Sequence, residues 1–259
     1  MSDVLHELFS IEGRTALVTG GTSGIGRMIA TGYLRAGARV LVASRKADAV
    51  AETVAALSEF GEIEGTPANL STEDGCRALA DWTAERAPQL DILVNNAGAV
   101  WGAPLADHDE AAWSRVLDLN VKGVFHMTRF LRPLLDAAAE EDAPSRVINI
   151  GSVDGLQVPM METYAYSASK AAVHQLTRHL ASQLAPSITV NAIAPGPFQS
   201  KMMRATLEAV GEQIAATNPM RRIGSDEDMA GTALFLASRA SAYITGAILP
   251  VDGGMYTTK

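Results

Sequence analysis

Short, nearly continuous apolar runs alternate along this chain with longer amphipathic segments rich in Ala, Leu and charge. TALVTG, ARVLVAS, DILVNN, RVINIGS and ITVNAIA are the clearest of these runs. A strand that is apolar on both sides belongs in a sheet covered on both faces, so the rhythm predicts βαβ units around a parallel sheet. Strands are expected at about 14–19, 38–43, 62–67, 91–94, 145–150, 187–193 and 247–251, which makes a seven-stranded sheet. Helices are expected between them at about 24–36, 46–59, 72–87, 109–136, 163–184 and 225–237. Ser225, followed three residues on by Asp228, reads as a capping-box opening. Ser71 or Thr72 before Glu73 and Asp74 places acids in a first helical turn, where the helix dipole favours them.

No repeat, linker or low-complexity tract divides the chain, so residues 1–259 read as one α/β domain of the doubly wound, Rossmann type with helices on both faces. The longest stretch without a strand signal is 194–222, with prolines near each end and a helical middle. Long excursions of this kind are often lids over a site, and the alternative is an ordinary surface excursion.

Composition narrows the function. Acids outnumber bases, 29 to 21, for a net charge of −8, which argues against nucleic acid or an anionic membrane as partner because both need a positive field. No apolar run approaches the roughly 18 residues needed to cross a bilayer, and the first residues, MSDVLHELFSIEG, lack the basic start and apolar stretch of a signal peptide. Cys76 is the sole cysteine and has no partner in metal-ligand spacing, so neither a disulfide nor a metal site is expected, and a reducing cytoplasm is the natural setting.

Three groups of residues carry candidate chemistry. Thr19-Gly20-Gly21-Thr22-Ser23-Gly24-Ile25-Gly26 joins the first strand to the first helix. Glycines there permit positive φ and close approach of a pyrophosphate to the helix N-terminus. At the end of the second strand, where an acid selects NAD by holding the ribose hydroxyl, stand Ser44, Arg45 and Lys46. An arginine beside a hydroxyl suits a 2′-phosphate, so NADP(H) is preferred over NAD(H).

Tyr166 and Lys170, four residues apart, share a helix face, so that an ammonium could draw the phenol's pKa down toward working pH. Ser152 follows the strand at 145–150, at the sheet edge where such folds bind ligands. Asn120, a poor helix former inside a helical stretch, is either a bridge through water to Lys170 or a local helix irregularity.

Together these residues resemble the short-chain dehydrogenase/reductase family over essentially the whole chain. The family's glycine turn matches Thr19–Gly26, its NNAG motif Asn95-Asn96-Ala97-Gly98, and its catalytic Asn, Ser, Tyr and Lys match Asn120, Ser152, Tyr166 and Lys170. Its Pro-Gly segment matches Pro195-Gly196, and VDGG matches Val251–Gly254. The resemblance implies that the cofactor is held by Gly20, Thr22, Ser23, Gly24, Ile25, Gly26, Ser44, Arg45, Lys46, Asn69, Leu70, Asn96, Ala97, Gly98, Tyr166, Lys170, Pro195, Gly196, Phe198 and Ser200.

It also implies a homotetramer and hydride transfer between a nicotinamide and a carbonyl/alcohol pair. Tyr166 would be the proton donor, Ser152 would orient the carbonyl, and Lys170 would bind the nicotinamide ribose. Within the family the β-ketoacyl reductases of rhamnolipid biosynthesis are most similar, through LDILVNNAG with Trp101-Gly102-Ala103, RVINIGSV and YAYSASKAAVHQL. That likeness implies a 3-oxoacyl thioester, with Val100, Trp101, Leu156, Met160, Met161, Phe198, Met202 and Met203 as candidate walls of an acyl pocket or as ordinary packing.

Asn69 stands where relatives have aspartate, and Ser23 where many NADP-preferring relatives have a basic residue. Glu140, Glu141 and Asp142 add negative charge that would disfavour an acidic carrier protein. Other readings are a sugar, polyol or steroid alcohol dehydrogenase, or an NADP(H)-sensing protein without turnover.

Overall fold

The computed structural model describes residues 2–200 and 203–258. Seven strands form one parallel sheet: β1 (Thr15–Thr19), β2 (Arg39–Ser44), β3 (Ile63–Pro67), β4 (Ile92–Asn95), β5 (Ser145–Ile150), β6 (Ile188–Pro195) and β7 (Ile248–Val251). Their order across the sheet is β3-β2-β1-β4-β5-β6-β7. Each expected strand is present within two residues of its expected ends.

The apolar runs divide by alternation. Val18, Val40, Val42 and Val94 face one side, where α2 (Gly24–Arg35) and α9 (Asp226–Ala237) cover them with Met28, Ile29, Tyr33, Met229 and Ala233. Leu17, Leu41, Leu93 and Val147 face the other, under α4 (Glu73–Arg86), α6 (Val124–Ala138) and α7 (Tyr164–Leu184), which contribute Leu79, Met127, Leu131, Leu135 and Ala181. Period two with both faces buried is what makes the strands read as unbroken apolar sequence. The α2 and α9 backbones approach closely at Gly32, where a Cβ would lie 2.7 Å from Ala230 Cβ, and Tyr33 Oη donates to the Ala233 carbonyl at 3.1 Å.

α3 (Ala47–Leu57) completes the first face. The Ser225–Asp228 capping box is formed, and Thr72 Oγ1 accepts from Gly75 N at 3.1 Å as the N-cap of α4.

Two features depart from the sequence reading. The chain begins with a helix, α1 (Ser2–Phe9), that was not expected; Glu7 pairs with Arg239 at 3.8 Å. The single helix expected at 109–136 is α5 (Glu110–Leu117), a π-helical turn at Asp118–Gly123, and then α6. The helical middle expected in 194–222 is α8 (Arg204–Thr217), which is kinked at Val210, and Phe198 bridges to Gly224 beside it. Among the described residues no helix is long and apolar enough to cross a membrane.

Candidate active site

β1 pairs with β2 on one side and β4 on the other, and the chain winds outward in both directions from this point. Such a reversal opens a crevice at the C-terminal edge of the strands. Thr19 closes its floor: Oγ1 donates to the Val94 carbonyl at 3.1 Å and accepts from Asn96 N at 3.0 Å and Ala97 N at 3.1 Å. Asn96 Nδ2 donates to the carbonyls of Thr19 (2.8 Å) and Gly20 (3.1 Å), so its side chain braces the glycine turn. Asn95 points the other way and donates to Asn149 Oδ1 at 2.9 Å, tying β4 to β5.

The glycine turn is shaped as a cradle. Gly20 and Gly24 have φ of +66° and +51°. At Gly26 a Cβ would lie 2.5 Å from the Gly20 carbonyl oxygen and 2.3 Å from Asn96 Nδ2, so any side chain would collide with the turn itself. Ser23 occupies the N-cap of α2 without a side-chain capping bond, and the first turn of α2 contains no acid. Its leading N–H groups therefore stay available to an anion, which fits a dinucleotide pyrophosphate.

Thr22 and Ile25 are half-buried in the same turn. Ser200 leans over it, with its Cβ 3.0 Å from where a Gly24 Cβ would stand. Ser44 is half-buried at the end of β2, and Arg45 and Lys46 are exposed and enter no ion pair among the described residues.

Other expected cofactor residues are placed with side chains engaged elsewhere. Asn69 Oδ1 accepts from Ser71 N (3.3 Å) and Ser71 Oγ (2.8 Å). Leu70 is buried in the core beneath the crevice. Pro195 is buried, and Gly196 packs on Asp252, with N donating to Val251 O at 3.0 Å. Phe198 is a core residue and not a pocket wall: its ring is 2% exposed and fills the space a Gly224 Cβ would need.

Ser152, Tyr166 and Lys170 converge. Ser152 caps a 3-10 turn (Val153–Gly155) at the end of β5 and accepts from Asp154 N at 3.1 Å. Its hydroxyl lies close enough to the Tyr166 phenol to pull its pKa down, and Tyr166 stands one turn before Lys170 in α7. Lys170 Nζ donates to the Ile150 carbonyl at 2.7 Å and lies 5.5 Å from the Tyr166 ring centre. The π-helical turn presents Asn120, whose Oδ1 accepts from Ala99 N (2.8 Å) and whose Nδ2 donates to Ala99 O and Ser169 Oγ (both 2.9 Å). Gly98 lies between Asn120 and Lys170. Asn120 is therefore a helix irregularity placed across Gly98 from Lys170, and π-bulges tend to occur at functional positions.

The electrostatics correct one expectation. Burial pushes the Tyr166 phenol up to about 12; the Ser152 hydroxyl opposes this and Asp154 reinforces it. Lys170 does not bring the phenol toward neutrality here, because its ammonium is turned to Ile150 and burial holds its own pKa down to about 8.

Two ionisable neighbours went unnoticed in the sequence. Asp154 is half-buried, its carboxyl pushed upward by burial and pulled back by Lys170. His174, one turn beyond Lys170, is buried with neither ring nitrogen hydrogen-bonded, and burial lowers its pKa to about 4. Neither residue type is unusual at its position in sequence, and only the packing of the Ser152 turn on α7 brings them to the site.

Two segments that flank the site in sequence carry exposed apolar side chains. Ala103 N donates to Glu162 O at 3.1 Å, joining the segment after β4 to the one before α7. Val100 and Trp101 on the first segment, and Val158, Met160 and Met161 on the second, are exposed, and Arg115 lies over the Trp101 ring at 4.5 Å. Leu156 and Met203 are half-buried, and Met202 lies outside the described residues. Among the described residues no cluster of His, Cys, Asp or Glu could hold a metal.

A family model described as "Enoyl-(Acyl carrier protein) reductase" matches residues 20–256. The chain is 49% identical over 255 residues to the rhamnolipids biosynthesis 3-oxoacyl-[acyl-carrier-protein] reductase of Pseudomonas aeruginosa, covering 97% of this chain and all of that protein. It is 38% identical to the 2-dehydro-3-deoxy-D-gluconate 5-dehydrogenase of Bacillus subtilis, over 96% of this chain and 97% of that one. The solved structure titled "Pseudomonas aeruginosa RhlG/NADP active-site complex" superposes with a TM-score of 0.93 at 49% identity, over 97% of this chain and 99% of that one. With its sheet order, glycine cradle and Ser/Tyr/Lys centre, the chain belongs to the short-chain dehydrogenase/reductase family of oxidoreductases.

Proposed function

We propose that this protein is an NADP(H)-dependent carbonyl reductase whose substrate is a 3-oxoacyl thioester. The observation that carries the reading is the convergence of Ser152, Tyr166 and Lys170 at the end of β5: Lys170 Nζ lies 5.5 Å from the Tyr166 ring centre and donates to the Ile150 carbonyl, two residues before Ser152. A phenol that carries its proton can protonate a developing alkoxide in the reductive direction. Gly20, Thr22, Gly24 and Gly26 with the α2 N-terminus would hold the pyrophosphate, and Ser44, Arg45 and Lys46 the 2′-phosphate. The bound cofactor supplies the hydride.

Ser152 positions the carbonyl oxygen, Tyr166 protonates it, and Lys170 holds the nicotinamide ribose. Asn120 fixes the turn of α7 that carries both, and since its side chain is engaged with Ala99 and Ser169, any relay of protons through it would run over its main chain. The exposed Val158, Met160, Met161, Val100 and Trp101 supply an apolar wall for an acyl chain, with the 194–222 segment as the lid above it.

The acids at 140–142 do not oppose a carrier at this mouth. They precede β5, whereas Ser152 follows it, so the strand separates them from the site by roughly 20 Å. The exposed apolar side chains favour an acyl substrate over the sugar acid named for the Bacillus subtilis relative. The homotetramer is part of the same reading, with Phe125, exposed on α6, among the surfaces it would cover, and so is a cytoplasmic location, in keeping with buried Cys76 as the sole cysteine.

Steady-state assay of acetoacetyl and longer 3-oxoacyl thioesters against a panel of polyols and sugar acids, each with NADPH and NADH, tests the substrate and the cofactor together. The expected result is thioester reduction with a lower KM for NADPH, lost by 10²-fold or more in Tyr166→Phe. Turnover confined to polyols, or a lower KM for NADH, overturns it.

A further inference from the structure

Tyr166, Lys170 and His174 follow one another at intervals of four residues and so stand on successive turns of one face of α7. The first two reach the end of β5, and the third packs behind it. A Cβ on Gly151 would collide with His174 Nε2 and lie 2.7 Å from its Cδ2, and one on Gly155 would lie 2.9 Å from its Cε1. The edge of the imidazole is therefore lodged against both ends of the Ser152 turn, and the residue is 2% exposed.

Gly151 shows what this contact demands. It is not among the glycines with positive φ, so its backbone would accept a side chain. After the two ring atoms, the nearest atom to its Cβ position is the Ile193 carbonyl oxygen at 3.3 Å, so it is chiefly the ring that reserves this place for glycine. Gly151 N donates to Ile193 O at 2.7 Å, which anchors the residue to β6 while the imidazole bears on it. Both of its chain neighbours belong to the centre: the Ile150 carbonyl accepts from Lys170 Nζ at 2.7 Å, and Ser152 carries the hydroxyl beside Tyr166.

We propose that His174 is a positioning residue for the reaction: its imidazole is a spacer that sets how close the main chain of Gly151 and Ser152 comes to α7, and so fixes the Ser152 hydroxyl relative to the Tyr166 phenol. This rests on the reading of Ser152, Tyr166 and Lys170 as the reacting centre. The helix that carries the phenol also carries the spacer, so the distance between phenol and hydroxyl is set within one rigid element and does not depend on the loop joining β5 to α7. A close-packed interior has no slack to absorb a change in the size of the ring. A displacement of about 1 Å at a reacting group can cost on the order of 100-fold in rate.

Two substitutions with opposite defects test the spacer. His174→Ala removes the ring and lets the turn settle toward α7, whereas Gly151→Ala drives a methyl group into the ring and pushes the turn away. Each should lower kcat by about 10- to 100-fold and leave the dissociation constant for NADPH within about threefold, because the glycine cradle after β1 is untouched. In Gly151→Ala/His174→Ala the methyl group enters the space that the ring has vacated. Its kcat should stand about tenfold or more above that of Gly151→Ala, a coupling that independent defects do not show. His174→Val takes the place of His174→Ala in the cycle if the latter does not fold.

An unchanged kcat in His174→Ala with a lowered urea midpoint would make the ring a packing residue only and overturn the proposal. A double variant no more active than Gly151→Ala overturns it as well. If the wild type oxidises polyols and reduces no carbonyl, the reductase reading fails, and the same cycle measured on the oxidation decides the spacer, since both directions use the same hydroxyl and phenol.

Discussion

Asn120 Nδ2 donates to Ser169 Oγ at 2.9 Å. Ser169 Oγ in turn donates to the Tyr166 carbonyl at 2.7 Å, so the π-helical turn is tied to α7 between the phenol and the lysine. Ser169 is fully buried. Ser169→Ala leaves the Asn120 amide with one partner fewer in a dry environment, which should lower the free energy of unfolding by about 1–3 kcal/mol. Because the bond sets the pitch of the turn carrying both reacting groups, kcat should fall more than the cofactor KM rises. Urea denaturation together with the kcat and KM split checks this, and an unchanged kcat at reduced stability would make the tie merely structural.

Two glycines should respond oppositely to the same added methyl group. In Gly26→Ala the new Cβ would meet the Gly20 carbonyl oxygen at 2.5 Å and Asn96 Nδ2 at 2.3 Å, atoms fixed by the crossed bonds to Thr19. The turn must open, with a loss of about 1–3 kcal/mol and of dinucleotide affinity. Gly231, exposed in α9, has nothing within 4 Å of the same position, so Gly231→Ala should stabilise the protein by about 0.5–1 kcal/mol through helix propensity. Thermal unfolding with and without NADPH distinguishes the two, because only the Gly26 variant should lose the ligand-induced rise in Tm.

Arg45 is exposed, unpaired among the described residues and placed just beyond β2. A guanidinium that awaits a phosphate should matter for one cofactor and not the other. Arg45→Ala should raise KM for NADPH by about 10- to 100-fold, the loss of a charge-assisted bond, and leave KM for NADH within about twofold. Equal effects on both cofactors would place the 2′-phosphate contact elsewhere, with Lys46 next to be tested.

Much of this was legible in the chain because the signals were local. Leu17 and Val18 face opposite covered sides of the sheet, so β1 shows as an apolar run whatever the topology. The glycine turn needs small residues within a few positions of one another, and Tyr166 and Lys170 lie one helical turn apart. The π-helical turn at 118–123 showed in the sequence only as Asn120, a poor helix former inside a helical stretch, because the short segments on either side of it each keep their own period.

α1 is only eight residues long, too short for periodicity to declare itself. Phe198 read as a pocket wall or as ordinary packing, and the sequence could not choose because nothing in it shows that Gly224 lies beneath the ring. The up-shifted phenol of Tyr166 and the shifted pKa values of Asp154 and His174 depend on burial that only the packed Ser152 turn creates.

His174 gives the stability of the protein a pH dependence of predictable sign. Its ring lies against the main chain of Gly151 and Gly155, and burial, helped by the charges of Lys170 and Arg178 and opposed by the Gly155 main chain, lowers its pKa from 6.5 to about 4. Between those values the unfolded chain binds a proton that the folded chain refuses. The free energy of unfolding therefore falls as pH drops through this window, by at most about 1.4 kcal/mol per pH unit from this one group. Asp154, whose carboxyl is held above its ordinary value, works in the opposite sense at the lower end, so the contribution of His174 is read from a difference between proteins. In His174→Leu an apolar side chain of similar volume replaces an unpartnered polar ring. Stability near pH 8 should stay within about 1 kcal/mol of the parent, and the acid slope between 6.5 and 4 should flatten. Urea midpoints measured at intervals across that range decide it: parallel curves for parent and variant would mean that the imidazole is protonated in the folded protein and that a carboxylate, Asp154 first, compensates it.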